Sequence, residues 1–157
     1  RHNQAMTKLM VIHGPNLHLL GQRQTQIYGT LSLDDINFAL QQKAKHYGYE
    51  LLTKQSNSEA EIIDYITANY NDVDFLIFNP AAFTHTSIAI YDTLLATELQ
   101  FIEVHLSSPA KREQFRHQSY FSKIALGTIC GLGANSYILA LEALKLHIEQ
   151  QSTTIEG

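Results

Sequence analysis

Short apolar runs alternate with longer amphipathic segments along the chain. Lys8 to Ile12, Glu50 to Lys54, Asp74 to Phe78, Phe101 to His105 and Ile124 to Cys130 have the length of strands covered on both faces. Between them, apolar residues recur at helical spacing. Ser32 and Asp35 form a capping-box pattern ahead of Ile36, Leu40, Ala44 and Tyr47, and Gly48 follows as a stop. Ser58 and Glu61 repeat the box before Ile62, Ile66 and Tyr70. Thr86 or Ser87 caps a helix carrying Ile90, Tyr91, Leu94 and Leu95, and Ala134 to Gln150 makes the closing helix. The order β-α-β-α-β-α-β-loop-β-α predicts an α/β fold: a doubly wound, five-stranded parallel sheet in the order 2-1-3-4-5. One domain over 6–150 is expected, with 1–5 and 151–157 as frayed termini and Met6 as the natural start.

The 157 residues are enough to bury a core without staples. No run is long and apolar enough to span a membrane, and the chain does not open on a secretory leader, so a cytoplasmic setting is expected. A formal net charge of −4 speaks against a nucleic-acid partner, which wants a basic stripe. The single cysteine, Cys130, excludes an internal disulfide and a multi-cysteine zinc site; within its apolar run it reads as a buried small hydrophobe. His13 and His18 lack metal-helix spacing and an acidic partner, so no metal is expected.

Ligands of doubly wound sheets bind beyond the carboxyl ends of the strands. The segments expected there collect Asn16, Arg23, Tyr28, Asn79, His85, His105, Ser107 and Arg116. The opposite edge has no such concentration. The loop after the first strand is long, yet it carries Leu17, Leu19, Leu20 and Ile27, too apolar for disorder, and reads as a lid over a bound substrate. Glu103 and Arg112 read as a structural pair shaping this edge.

Four stretches carry a family resemblance. Gly14-Pro15-Asn16-Leu17-His18-Leu19-Leu20-Gly21-Gln22-Arg23, ending in Tyr28-Gly29, is similar to the first signature of the type II 3-dehydroquinate dehydratases. Asn79-Pro80-Ala81-Ala82-Phe83-Thr84-His85-Thr86-Ser87 resembles the second. Glu103-Val104-His105-Leu106-Ser107, with Arg112-Glu113 and Phe115-Arg116-His117, resembles the third. Gly131-Leu132-Gly133, Tyr137 and the closing helix are also similar. The resemblance implies a flavodoxin-like fold and conversion of 3-dehydroquinate to 3-dehydroshikimate, a step of the shikimate route to aromatic amino acids, with no cofactor. It implies roles as well. Tyr28 would be the base, Arg23 would lower that tyrosine's pKa, Asn16 would hold a water at the developing enolate, and His105 would protonate the departing hydroxyl. Asn79 and the main chain of Leu106 and Ser107 would hold the substrate carboxylate, and His85 and Arg116 would bind ring hydroxyls. Asp92 would reach a neighbouring subunit's site in a dodecamer built of trimers. Gln24-Thr25 and Ser108-Pro109-Ala110 depart from the family pattern, and His13 stands at a variable position.

The chemistry is self-consistent. A free tyrosine has a pKa of ~10, so only about 0.1% is ionised at neutral pH. A guanidinium within ~4–6 Å can lower that value by about 1–3 units, and arginine stays charged at any relevant pH. A Ser–His hydrolase using Ser87 or Ser107 lacks the Gly-x-Ser-x-Gly elbow. A receiver-like binding module would want an acidic cluster beside the first strand, where this chain has His13 and Asn16. Gly131-Leu132-Gly133 lacks a third glycine and follows the last strand, which favours packing over dinucleotide binding.

Overall fold

A computed structural model describes residues 6–22 and 30–156. The elements are β1 (Lys8–His13), α1 (Leu33–His46), β2 (Glu50–Gln55), α2 (Glu59–Asn69), β3 (Phe75–Asn79), α3 (Ile88–Thr97), β4 (Phe101–His105), β5 (Gly127–Cys130) and α4 (Asn135–Glu156). All strand pairs are parallel and the sheet order is β2-β1-β3-β4-β5. The α/β class and the strand order are those expected from the sequence.

Strand alternation sorts the core onto two faces. Leu9 and Val11 of β1, Phe75 and Ile77 of β3, and Ile102 and Val104 of β4 pack with α1 and α4 through Ile36, Leu40, Leu141 and Leu144. Met10, Ile12, Leu76, Phe78 and Phe101 pack on the other face with Ile62, Ile66, Ile90 and Leu94 of α2 and α3, and with Phe121. Each helix therefore buries one stripe against the sheet, and the central strands are covered on both sides.

The caps follow the side-chain chemistry. Ser32 accepts from the Asp35 amide while Asp35 accepts from the Ser32 amide, a closed capping box. At α2 only half the box forms: Ser58 accepts from the Glu61 amide, and the Glu61 carboxylate pairs with Lys54 at 3.1 Å. Ser87, not Thr86, caps α3. Gly48 takes φ 75° beyond α1.

Three expectations are corrected. β5 starts at Gly127, not Ile124, and it is a largely exposed edge strand. Ile129 packs toward the α1 and α4 face. Cys130, on the opposite side of the ribbon, is exposed rather than buried, because no described helix lies over that side of the edge. The closing helix continues to Glu156, past Gln150. Among the described residues no helix is long and apolar enough to cross a membrane.

Candidate active site

A cavity of about 230 Å³ opens at the carboxyl ends of β1, β3 and β4. It falls below the ~300–1,000 Å³ usual for ligand pockets, so it suits a small metabolite better than a nucleotide. Asn16, Asn79, His85, His105, Leu106, Ser107 and Arg116 all line it. Sequence positions up to 100 residues apart thus converge on the expected edge. Arg23 and Tyr28 lie outside the described residues. Asp92 is exposed on α3 and does not line this cavity.

The first and second loops meet at the switch point between β1 and β3. The Gly14 amide donates to the Asn79 carbonyl at 2.8 Å. A β-carbon on Gly14 would lie 2.3 Å from the Pro80 carbonyl oxygen, so only glycine fits. Asn16 sits at φ 69°, a left-handed conformation asparagine tolerates, and its amide donates to the Asn57 side chain at 3.0 Å. Leu17 and Leu20 are buried in the α1 and α4 core, so the first part of the loop is anchored. Gly21, at φ 84°, lies against the backbone of Thr30 to Ser32. The described ends of the loop thus come together beside the cavity wall formed by Leu19 and Leu20.

β4 supplies the acid–base pair. Glu103 and His105 are two residues apart on one strand and share a face. His105 Nε2 lies 2.5 Å from the Glu103 carboxylate, which also accepts from Ser119 at 2.8 Å and Ser122 at 2.7 Å. Complete burial pushes the Glu103 carboxyl up, but the His105 bond and charge, with the serine hydroxyls, outweigh this and hold it below its ordinary value. Glu103 is thus a buried carboxylate with its lone pairs satisfied. His105 Nδ1 has no partner among the described residues. The expected Glu103–Arg112 pair is replaced by this arrangement, and Arg112 pairs with Glu113 at 3.8 Å.

His85 donates from Nδ1 to the Gln118 carbonyl at 2.7 Å. Burial lowers its pKa, opposed by that hydrogen bond, and the neighbouring His105 and Arg116 charges lower it further. A neutral ring with Nδ1 committed offers Nε2 as an acceptor to a ligand hydroxyl. Arg116 is held by Glu113 at 3.2 Å and lies 4.9 Å from the centre of the Phe115 ring.

Two groups missed as site residues lie beneath the cavity floor. His13, paired in register with Asn79, is fully buried, and its ring contacts Tyr137 and Asn37. Tyr137, also fully buried, reaches Asn79. The signal available was parity: His13 shares the face of Leu9 and Val11, which α4 covers. The serine hydrolase reading has no support here, since Ser87 caps α3 and its hydroxyl bonds Glu59. The glycine pair after β5 stitches loops together: the Gly131 and Gly133 amides donate to the carbonyls of His105 and Leu106.

The family model "Dehydroquinase class II" matches residues 7–145. A 3-dehydroquinate dehydratase of Hahella chejuensis is 57% identical over 139 residues, covering 88% of this chain and 95% of that protein. The crystal structure of type II dehydroquinase from Butyrivibrio crossotus superposes with a TM-score of 0.86 at 38% identity, covering 89% of this chain and 98% of that one. The type II dehydroquinase from Propionibacterium acnes gives a TM-score of 0.83 at 39% identity, covering 89% and 98%.

Proposed function

Because the chain belongs to the class II dehydroquinase family, we propose that it dehydrates 3-dehydroquinate to 3-dehydroshikimate at this cavity. The Glu103–His105 pair, opening on a small cavity whose other wall carries Asn79, is the observation that carries the reading.

Tyr28, as its phenolate, takes a proton from the carbon beside the ketone, and the electron pair moves onto the ketone oxygen as an enolate. Arg23 keeps the phenolate ionised. A water held by Asn16 donates to the enolate oxygen, so preorganised hydrogen bonds stabilise the charge. The enolate then returns its electron pair, a carbon–carbon double bond forms, and the ring carbon–oxygen bond breaks. His105 protonates the leaving hydroxyl, which departs as water, while Glu103 orients the imidazole and balances its charge. Asn79 and the main chain of Leu106 and Ser107 hold the carboxylate, and His85 and Arg116 bind ring hydroxyls. The first loop closes over the ring.

A trimer-based dodecamer, in which Asp92 enters a neighbouring site, completes the proposal. Light scattering tests it, and a stable monomer would remove Asp92 from the site. The activity test is direct. Purified protein given 3-dehydroquinate should produce an ultraviolet-absorbing enone, and enzyme recovered after borohydride treatment in the presence of that substrate should keep its full rate. Loss of activity after borohydride would point to a lysine imine instead.

A further inference from the structure

Beneath Asn79 runs a buried polar chain that the reaction scheme does not use. The Ala81 amide donates to Asn79 Oδ1 at 3.1 Å. Asn79 Nδ2 donates to the Tyr137 hydroxyl at 3.0 Å. That hydroxyl lies 2.7 Å from His13 Nδ1, and His13 Nε2 lies 2.8 Å from Asn37 Oδ1.

Each hydrogen in the chain has one consistent place. The Ala81 N–H can only donate, so the atom facing it must be the Asn79 carbonyl oxygen, and the Asn79 amide nitrogen must face Tyr137. The Tyr137 oxygen therefore accepts from Asn79 and gives its own hydrogen to His13 Nδ1. His13 is neutral with its hydrogen on Nε2, which donates to the Asn37 oxygen. The opposite His13 tautomer would leave the hydroxyl hydrogen of the fully buried Tyr137 without an acceptor. Ala81 holds φ 52°, an unusual conformation for a residue with a β-carbon, and this local strain aims its amide at Asn79.

We propose that Tyr137 and His13 are positioning residues that lock the Asn79 carboxamide so that it presents only a donor hydrogen to the cavity, selecting a carboxylate there. The proposal rests on the reading of Asn79 as the carboxylate contact. Nδ2 carries two hydrogens, and Tyr137 takes one. The other is left for the cavity that Asn79 lines, so an acceptor is welcome and a donor is not.

The test is a double-mutant cycle of Asn79→Ala and Tyr137→Phe, read as the inhibition constant of quinate, a ring carboxylate of the same skeleton that has no ketone to enolise. Tyr137→Phe keeps the ring and removes the hydroxyl. It should weaken quinate about tenfold, the worth of one well-placed hydrogen bond, with kcat changed less than about threefold. In the double variant the two losses should not add, because Tyr137 acts through Asn79. Circular dichroism and thermal unfolding check that each variant folds. If Tyr137→Phe binds quinate as the wild type does while Asn79→Ala does not, or if the losses add, the positioning role is overturned and Asn79 keeps its contact. If Asn79→Ala binds quinate normally, both fall.

Discussion

Acidification from pH 7 to pH 4 should cost the fold about 3 kcal/mol through His13 alone. The imidazole is fully buried, and desolvation, opposed only by the Asn37 hydrogen bond, holds its pKa down at about 4. In the unfolded chain a histidine titrates near ~6.5. Between these two values the unfolded chain binds a proton that the folded chain excludes. Stability therefore falls as the pH falls, by about 1.4 kcal/mol per pH unit across that window. Above ~6.5 both states are neutral, so the contribution is fully present; below the folded value both are protonated and nothing more is lost. The geometry explains the exclusion. A second ring proton, on Nδ1, would meet the Tyr137 hydroxyl, whose own hydrogen would then have no acceptor. Urea unfolding followed by circular dichroism, from pH 7.5 to pH 4.5 at one protein concentration, measures the effect. His13→Gln, which removes the titrating ring, is the reference. The wild type should lose about 2–3 kcal/mol more than the variant over that range. Parallel stability curves for the two proteins would refute the reasoning.

Three further outcomes are expected. Glu103→Gln replaces the charge-assisted bond to His105 with a neutral one and should lower kcat about 10- to 100-fold in the ultraviolet assay, with little change in KM. Gly14→Ala drives a methyl group into the Pro80 carbonyl and should cost about 3 kcal/mol in chemical denaturation, with activity falling as the two loops separate. Ser32→Ala opens the capping box of α1 and should cost about 1 kcal/mol while leaving kcat intact.

Local signals carried the architecture a long way. The apolar runs located all five strands, and the Ser32 and Ser58 caps marked helix starts, because these features depend on residues a few positions apart. Contacts that depend on partners far along the chain were harder to read. Cys130 lies in a run that looks like a buried strand, but its burial depends on what covers the sheet edge, and nothing in Ile124 to Cys130 encodes that. His13 stands 124 residues from Tyr137, so its parity revealed the face and not the partner. For Glu103, the spacing to His105 was the usable signal. An arginine is the usual counter-charge for a buried carboxylate, yet a strand places i and i+2 side by side, and His105 pairs with Glu103 at 2.5 Å. At α2, Glu61 could serve either its own cap or Lys54, and strand β2 brings the lysine close enough to win.

The central claim is a division of labour, with Tyr28 removing the proton and His105 releasing the water. The most direct measurement is nuclear magnetic resonance of 3-dehydroquinate in deuterated water with each variant, corrected for the enzyme-free rate. His105→Ala should exchange the proton beside the ketone while forming almost no product, because the enolate still forms and returns. Tyr28→Phe should do neither. Exchange by Tyr28→Phe at a rate matching His105→Ala would contradict the account.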